Sequence, residues 1–322
     1  MRREAIRGLA SIVTLVLLGG TSGQAGQTRS VIADVRAAIA QQDFARGETI
    51  LEGYRSAHGV TPEVLEAFSW LGRGALAARQ WDKADAYAKQ TYDLALSALK
   101  GRSVDQEPHL PIALGAAIEV QAHVRAARGA RSEAVYVLGR ERETYRDTSL
   151  SKRIQKNIHL LSLEGKPAPA IDLSEYLGPK PPTLEALKGK VVLLFFWAHW
   201  CPDCKIQGPI LASVVAKYGQ QGLTVLAPTQ RFGFVAAGRS AGPEEEARYI
   251  DRVRRTSYSV FADQPVPLSA TNHERYGVST TPTLVLVDRE GIVRLYHPGR
   301  MTEKELEPLV RRLVTGRAWT EQ

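Results

Sequence analysis

Cysteine and methionine are scarce in this chain, with two of each among 322 residues. Two cysteines cannot staple a small scaffold, and they cannot supply a four-thiolate zinc site. Long hydrophobic runs are missing too. The apolar run from Leu9 to Leu18 is about half of the ~20 residues that a membrane-spanning helix needs. Charge of one sign is in only thin excess: residues 26–165 carry 19 basic and 17 acidic side chains, and residues 166–322 carry 20 and 16. No clustered basic stripe stands out, so a nucleic-acid footprint is not expected. With 44% hydrophobic and 24% charged residues, neither a chain disordered throughout nor a polytopic membrane protein fits. The length suits two domains of common size rather than one core.

The N-terminus carries Arg2, Arg3 and Arg7 before the apolar run, then small residues as far as Ala25. That pattern predicts an export signal over residues 1–25, removed near Ala25, and hence an exported, periplasmic protein. No cysteine follows the run, which excludes a lipoprotein anchor. A retained short anchor stays open.

Residues 26–164 predict an all-α domain, because helical periodicity dominates and strand patterns are nearly absent. Three segments look alike around a helix joint: Gln41–Gly47, Arg79–Ala84 and Arg128–Ala134. Small residues (Gly47, Ala84, Ala134) let paired helices approach, while Phe44 and Trp81 fill the gaps between pairs. The spacing from Phe44 to Trp81 resembles a degenerate tetratricopeptide repeat, and such stacked pairs would offer a concave face for protein docking.

Gly165-Lys166-Pro167-Ala168-Pro169-Ala170 breaks the helical pattern and marks the expected boundary of a second domain, 165–322. Lys190–Trp197 reads as a strand buried on both faces. Pro202–Tyr218 reads as a helix, Leu223–Ala227 as a strand, Pro243–Arg255 as a helix and Tyr258–Ala262 as a short strand. Pro282–Val287 and Gly291–His297 form a hairpin about Asp288-Arg289-Glu290-Gly291, and Thr302–Val314 closes as a helix. The order implies an α/β fold, a mixed sheet with helices on both faces.

The two cysteines, Cys201 and Cys204, fall where the buried strand ends and the helix begins. If cysteines fell at random, that spacing would arise about 0.6% of the time. A helix N-terminus presents free N–H groups and the positive end of the macrodipole, which favour a thiolate. Pro202 suits the first turn, where its missing N–H is no loss. Cys201 is expected at the exposed cap, placed to attack a disulfide, with Cys204 one turn along, partly shielded, to resolve the mixed disulfide. Asp203 between them disfavours the thiolate and leans the pair toward reduction. His199, two residues before Cys201, has two readings: a surface residue at a strand end, or a proton acceptor.

Trp197-Ala198-His199-Trp200-Cys201-Pro202-Asp203-Cys204 after an apolar strand resembles the thioredoxin fold. Gly165-Lys166-Pro167-Ala168-Pro169, Leu187-Lys188-Gly189-Lys190 and Tyr276-Gly277-Val278-Ser279-Thr280-Thr281-Pro282-Thr283 are similar to its exported TlpA/ResA-like branch. The resemblance implies a thiol-disulfide oxidoreductase whose only redox group is the Cys201–Cys204 disulfide, with no metal and no separate cofactor. It implies a cis Pro282 facing the thiols, a substrate segment paired with Thr281, and Trp200 and Pro202 on the substrate side. Protein thiols and disulfides would be the substrates, and a membrane electron donor upstream would re-reduce the pair. Two departures stand out: Phe195 occupies the position of a buried Asp, and Gln207 that of a Glu, so the proton acceptor for Cys204 is open. A Cu(I) metallochaperone and a docking module built on an inert thioredoxin scaffold are the competing readings. The Thr-x-x-Cys arrangement of a peroxiredoxin is absent.

Overall fold

The computed structural model describes residues 30–316, so the expected signal over 1–25 lies outside the described residues. Seven helices come first: α1 (Val31–Ala40), α2 (Phe44–His58), α3 (Pro62–Ala77), α4 (Trp81–Leu99), α5 (Leu110–Ala127), α6 (Arg131–Thr144) and α7 (Leu150–Ser162). Side-chain caps start two of them: Asp43 accepts from Arg46 N–H, and Thr61 accepts from Val64 N–H with Pro62 in the first turn. The three look-alike joints close identically. Gln42, Arg79 and Gly129 each take a positive φ (59°, 57° and 90°). The next residue, Asp43, Gln80 or Ala130, then donates back to Ala38, Ala75 or Arg125. This closure is the Schellman pattern, which satisfies carbonyls at a helix end and reverses the chain. Gly47, Ala84 and Ala134 are buried, and a Cβ on Gly47 would lie 3.1 Å from Leu71.

The second half contains β1 (Tyr176–Leu177), β2 (Val191–Phe196), α8 (Pro202–Tyr218), β3 (Leu223–Leu226), α9 (Pro243–Ser257), β4 (Val266–Pro267), α10 (Ala270–Arg275), β5 (Thr283–Val287), β6 (Val293–Pro298) and α11 (Glu303–Val314). The main sheet has the order β3-β2-β5-β6; β2 runs parallel to β3 and antiparallel to β5, and β5 is antiparallel to β6. A two-stranded ribbon pairs β1 with β4. Every residue of β2 is buried because the strand feeds two cores. Val191, Leu193 and Phe195 face a cluster with residues of α8, α9 and α11. Val192, Leu194 and Phe196 face Tyr276, Val278 and Leu163 on the other side. The chain thus folds as a mixed sheet with helices on both faces behind an all-α segment.

One expected strand is absent. Tyr258–Ala262 is not extended; Ser259–Phe261 forms a 3₁₀ turn. Tyr258 and Phe261 stack at 4.7 Å with ring planes 20° apart, a spacing of three that suits a helical turn and not a pleat. The fully buried Arg254 reinforces the turn by donating to the carbonyls of Phe261 and Gln264. The Gly165–Ala170 segment is also more than a spacer. Gly165 N–H donates to Val293 O, Val293 N–H to Lys166 O, and Ala168 N–H to Gly291 O, so the segment lies along β6.

Candidate active site

The end of β2 is pinned twice to the segment that follows β3. Trp197 Nε1 donates to Ala227 O (2.9 Å), and Thr229 Oγ1 donates to Trp197 O (2.7 Å). Four residues later the chain turns into α8, whose N-cap is Cys201 itself. Its sulfur stands where a serine or aspartate oxygen usually caps a helix, and Cys204 N–H donates to it at 3.0 Å. Cys201 and Cys204 are joined as a disulfide with their Cα atoms 5.3 Å apart. The Thr281–Pro282 bond is cis, and Thr281 O lies 3.5 Å from Cys201 Sγ. Two segments 80 residues apart in sequence therefore meet at one sulfur. Trp200 is 49% exposed beside it, Pro202 is exposed, and Pro282 is buried immediately before β5.

Two expectations need correcting. Cys201 is not an exposed cap: it is 2% accessible and Cys204 is fully buried, so access barely distinguishes them. What distinguishes them is the helix terminus, which aims an N–H at the Cys201 sulfur. His199 is not a surface residue either, being 1% accessible. Its Nε2 lies 3.2 Å from Glu246 Oε1, and Glu246 also accepts from Phe232 N–H (2.5 Å) and Gly233 N–H (2.9 Å). The rings of Phe232, Phe234 and Tyr249 meet its imidazole edge-on at 5.3–5.5 Å. Burial pulls the His199 pKa below its ordinary value, against the pull of Glu246. His199 and Glu246 together tie the Phe232–Gly233 loop beneath Trp200, whose ring meets Phe232 at 5.5 Å.

The remaining candidates fall into place around the pair. Asp203 is exposed and ion-paired with Arg300 at 3.2 Å, which offsets part of its repulsion toward a thiolate. Gln207 is fully buried on α8; its Oε1 accepts from Met301 N–H at 2.9 Å, while its Nε2 is buried without a partner. Phe195 fills the place of the absent carboxylate with an aromatic cluster, 6.1 Å from Tyr258 and 5.8 Å from Phe261. Among the described residues, no group of three or more His, Cys, Asp or Glu is arranged to hold a metal ion. No helix among them is long and apolar enough to cross a membrane.

Sequence reasoning missed His273, on α10. It is 1% accessible and meets Phe196 edge-on at 5.6 Å. Burial is the main cause that pushes its pKa down to about 3; Lys152 adds to it, while the backbone at Ser269 and Trp197 opposes it. The native ring therefore stays neutral at pH values where the unfolded chain, with an ordinary imidazole, takes up a proton. Stability is lost as pH falls below about 6.5, and the loss continues toward pH 3. From pH 7.5 to 5 this one group should cost about 2 kcal/mol of unfolding free energy. Urea denaturation at the two pH values measures it, and His273→Gln should shrink the difference to what His159 and His199, also lowered by burial, leave.

Comparison with known proteins agrees with this geometry. The Redoxin family model matches residues 163–310. The thioredoxin-like protein YneN of Bacillus subtilis is 31% identical over 144 residues, which cover 45% of this chain and 76% of that protein. The thiol-disulfide oxidoreductase ResA of Geobacillus thermodenitrificans is 30% identical over 143 residues, 44% of this chain and 74% of its own. The thiol:disulfide interchange protein DsbE of Pseudomonas aeruginosa is 27% identical over 158 residues, 48% and 78% respectively. Among solved structures, the exposed lipoprotein thioredoxin of Streptococcus pneumoniae is 27% identical, covering 41% of this chain and 91% of its own, with a TM-score of 0.33. With a cysteine pair at a helix N-terminus facing a cis-proline loop, the chain belongs to the redoxin family, among its thioredoxin-like thiol-disulfide oxidoreductases.

Proposed function

We propose that this protein works outside the cytoplasm and reduces disulfides in other proteins. The observation that carries the reading is the Cys201 sulfur, capped by Cys204 N–H and facing Thr281 O. In the reduced enzyme, the Cys201 thiolate attacks one sulfur of a substrate disulfide. A Cys201–substrate bond forms, the substrate S–S bond breaks, and the departing sulfur takes a proton. The Cys204 thiolate then attacks Cys201 Sγ, closes the Cys201–Cys204 disulfide and releases the second substrate thiol. Two electrons have passed to the substrate. A dithiol donor at the membrane, upstream of this protein, returns them by the same exchange in reverse.

The partly paired Asp203 supports the reductive direction, because its charge raises the cost of the thiolate that a strong oxidant would stabilise. Gln207 can hold Met301 but cannot accept a proton from Cys204. The basic, apolar leader over residues 1–25 supports export. Equilibration in glutathione buffers, read by thiol alkylation, tests the direction. The midpoint should lie below about −150 mV; a higher value would make the pair an oxidant and overturn the reductive reading.

A further inference from the structure

We infer that the cleft between the helical half and the cis-proline loop is a docking groove for an acidic segment of the client polypeptide, flanking the disulfide to be reduced. The inference rests on the proposed reductase function and adds a substrate class to it.

The cleft has a volume of about 470 Å³ and runs from α3 and α7 to Ser279 and Thr280. Those two residues are exposed, and the next one, Thr281, has its carbonyl 3.5 Å from Cys201 Sγ. Consecutive Cα atoms stand about 3.8 Å apart, so the floor of the groove lies within one or two residues of the attacking sulfur. A polypeptide joined to Cys201 through its own cysteine must lie across this loop, and its neighbouring residues reach the helical wall.

That wall is cationic. Arg73, Arg153 and Lys156 line it, with Glu119 as the single carboxylate among the lining residues. Glu119 lies 3.4 Å from Arg153 and 3.2 Å from Lys156, which leaves two positive charges in excess. Arg73 is stacked on Trp70 at 4.6 Å, and Arg36 on the same ring at 4.4 Å, so a flat guanidinium is already oriented at the groove. Arginine in that setting suits carboxylates better than any neutral partner. The cations come from helices 80 residues apart in sequence, and only the fold collects them beside the redox loop.

The test uses reduced full-length protein and two synthetic disulfide peptides that share the same residues next to the cysteine. One carries glutamates at the four positions on either side, the other glutamines. Hydroxyethyl disulfide serves as a third substrate with no flanking chain. The acidic peptide should react about tenfold faster at low salt, and the preference should collapse at 0.5 M salt, where screening is short-ranged. In the double variant Arg153→Gln, Lys156→Gln, shown folded by its melting curve, the ratio of the two peptide rates should fall to about one. Equal rates for the two peptides in the native protein would overturn the groove alone, as would a preference that survives in the variant. Failure to reduce any of the three substrates would overturn the reductase reading and the groove with it.

Discussion

With Cys204 replaced by serine, the protein is expected to pile up as mixed disulfides on Cys201 and to lose turnover by at least about a thousandfold. The reason is the loss of an intramolecular nucleophile. Cys204 sits one helical turn from Cys201 with its sulfur already within bonding distance, as the closed pair shows. An attack held in that geometry has an effective concentration orders of magnitude above the millimolar thiol that could replace it from solution. The substitution changes little else: serine is nearly isosteric, and the N–H of residue 204 still caps the Cys201 sulfur. Non-reducing gels and mass spectrometry of the trapped adducts read the result. Cys201→Ser should form no such adducts, because it removes the sulfur at which the α8 terminus aims an N–H and which faces Thr281 O. If Cys201→Ser traps clients and Cys204→Ser does not, the order of attack is reversed.

The redox pair was legible because its determinants are local. A buried apolar strand, a proline in the first helical turn and a three-residue cysteine spacing all lie within Val191–Cys204, and β2 and α8 form where that pattern places them. The cis-proline loop was legible only through resemblance, since no local rule brings Thr281 to Cys201. His199 shows what sequence proximity hides. Two residues from the reactive cysteine it reads as a surface group or a proton acceptor, yet Glu246, 47 residues on, and three aromatic rings enclose it. Tyr258–Ala262 misled in another way: its β-branched and aromatic content suits a strand, but buried Arg254 needs the carbonyls that a 3₁₀ turn offers. The helical joints repeat in sequence and in backbone geometry alike, whereas the cationic wall emerges only where α3 and α7 both pack against α5.

The seat of α7 against the redox loop depends on one glycine, and Gly277→Ala is expected to cost about 3 kcal/mol of stability. Two effects add. Gly277 has φ +62°, a left-handed conformation that costs an L-residue about 1 kcal/mol. A Cβ there would also lie 2.4 Å from Lys156 N and 2.7 Å from Gln155 C, which are backbone atoms of α7 and cannot swing aside. Gly129→Ala separates the two effects, because Gly129 has φ +90° and nothing within 4 Å of its built Cβ. It should cost only the conformational part, about 1 kcal/mol. Relief of the Gly277→Ala collision requires α7 to move off the loop that leads through Ser279 and Thr280 to Thr281. It also works against His159, whose Nε2 lies 2.9 Å from Arg275 O and whose ring packs at 5.4 Å from Tyr296. Denaturant unfolding measures the loss, and a second transition in Gly277→Ala would show the two halves melting apart. The same displacement carries Arg153 and Lys156 away from the redox loop. Gly277→Ala should therefore weaken the preference for an acidic peptide while the Cys201–Cys204 pair, built on α8, keeps its potential. A variant as stable as the native protein would mean that α7 does not rest on this loop.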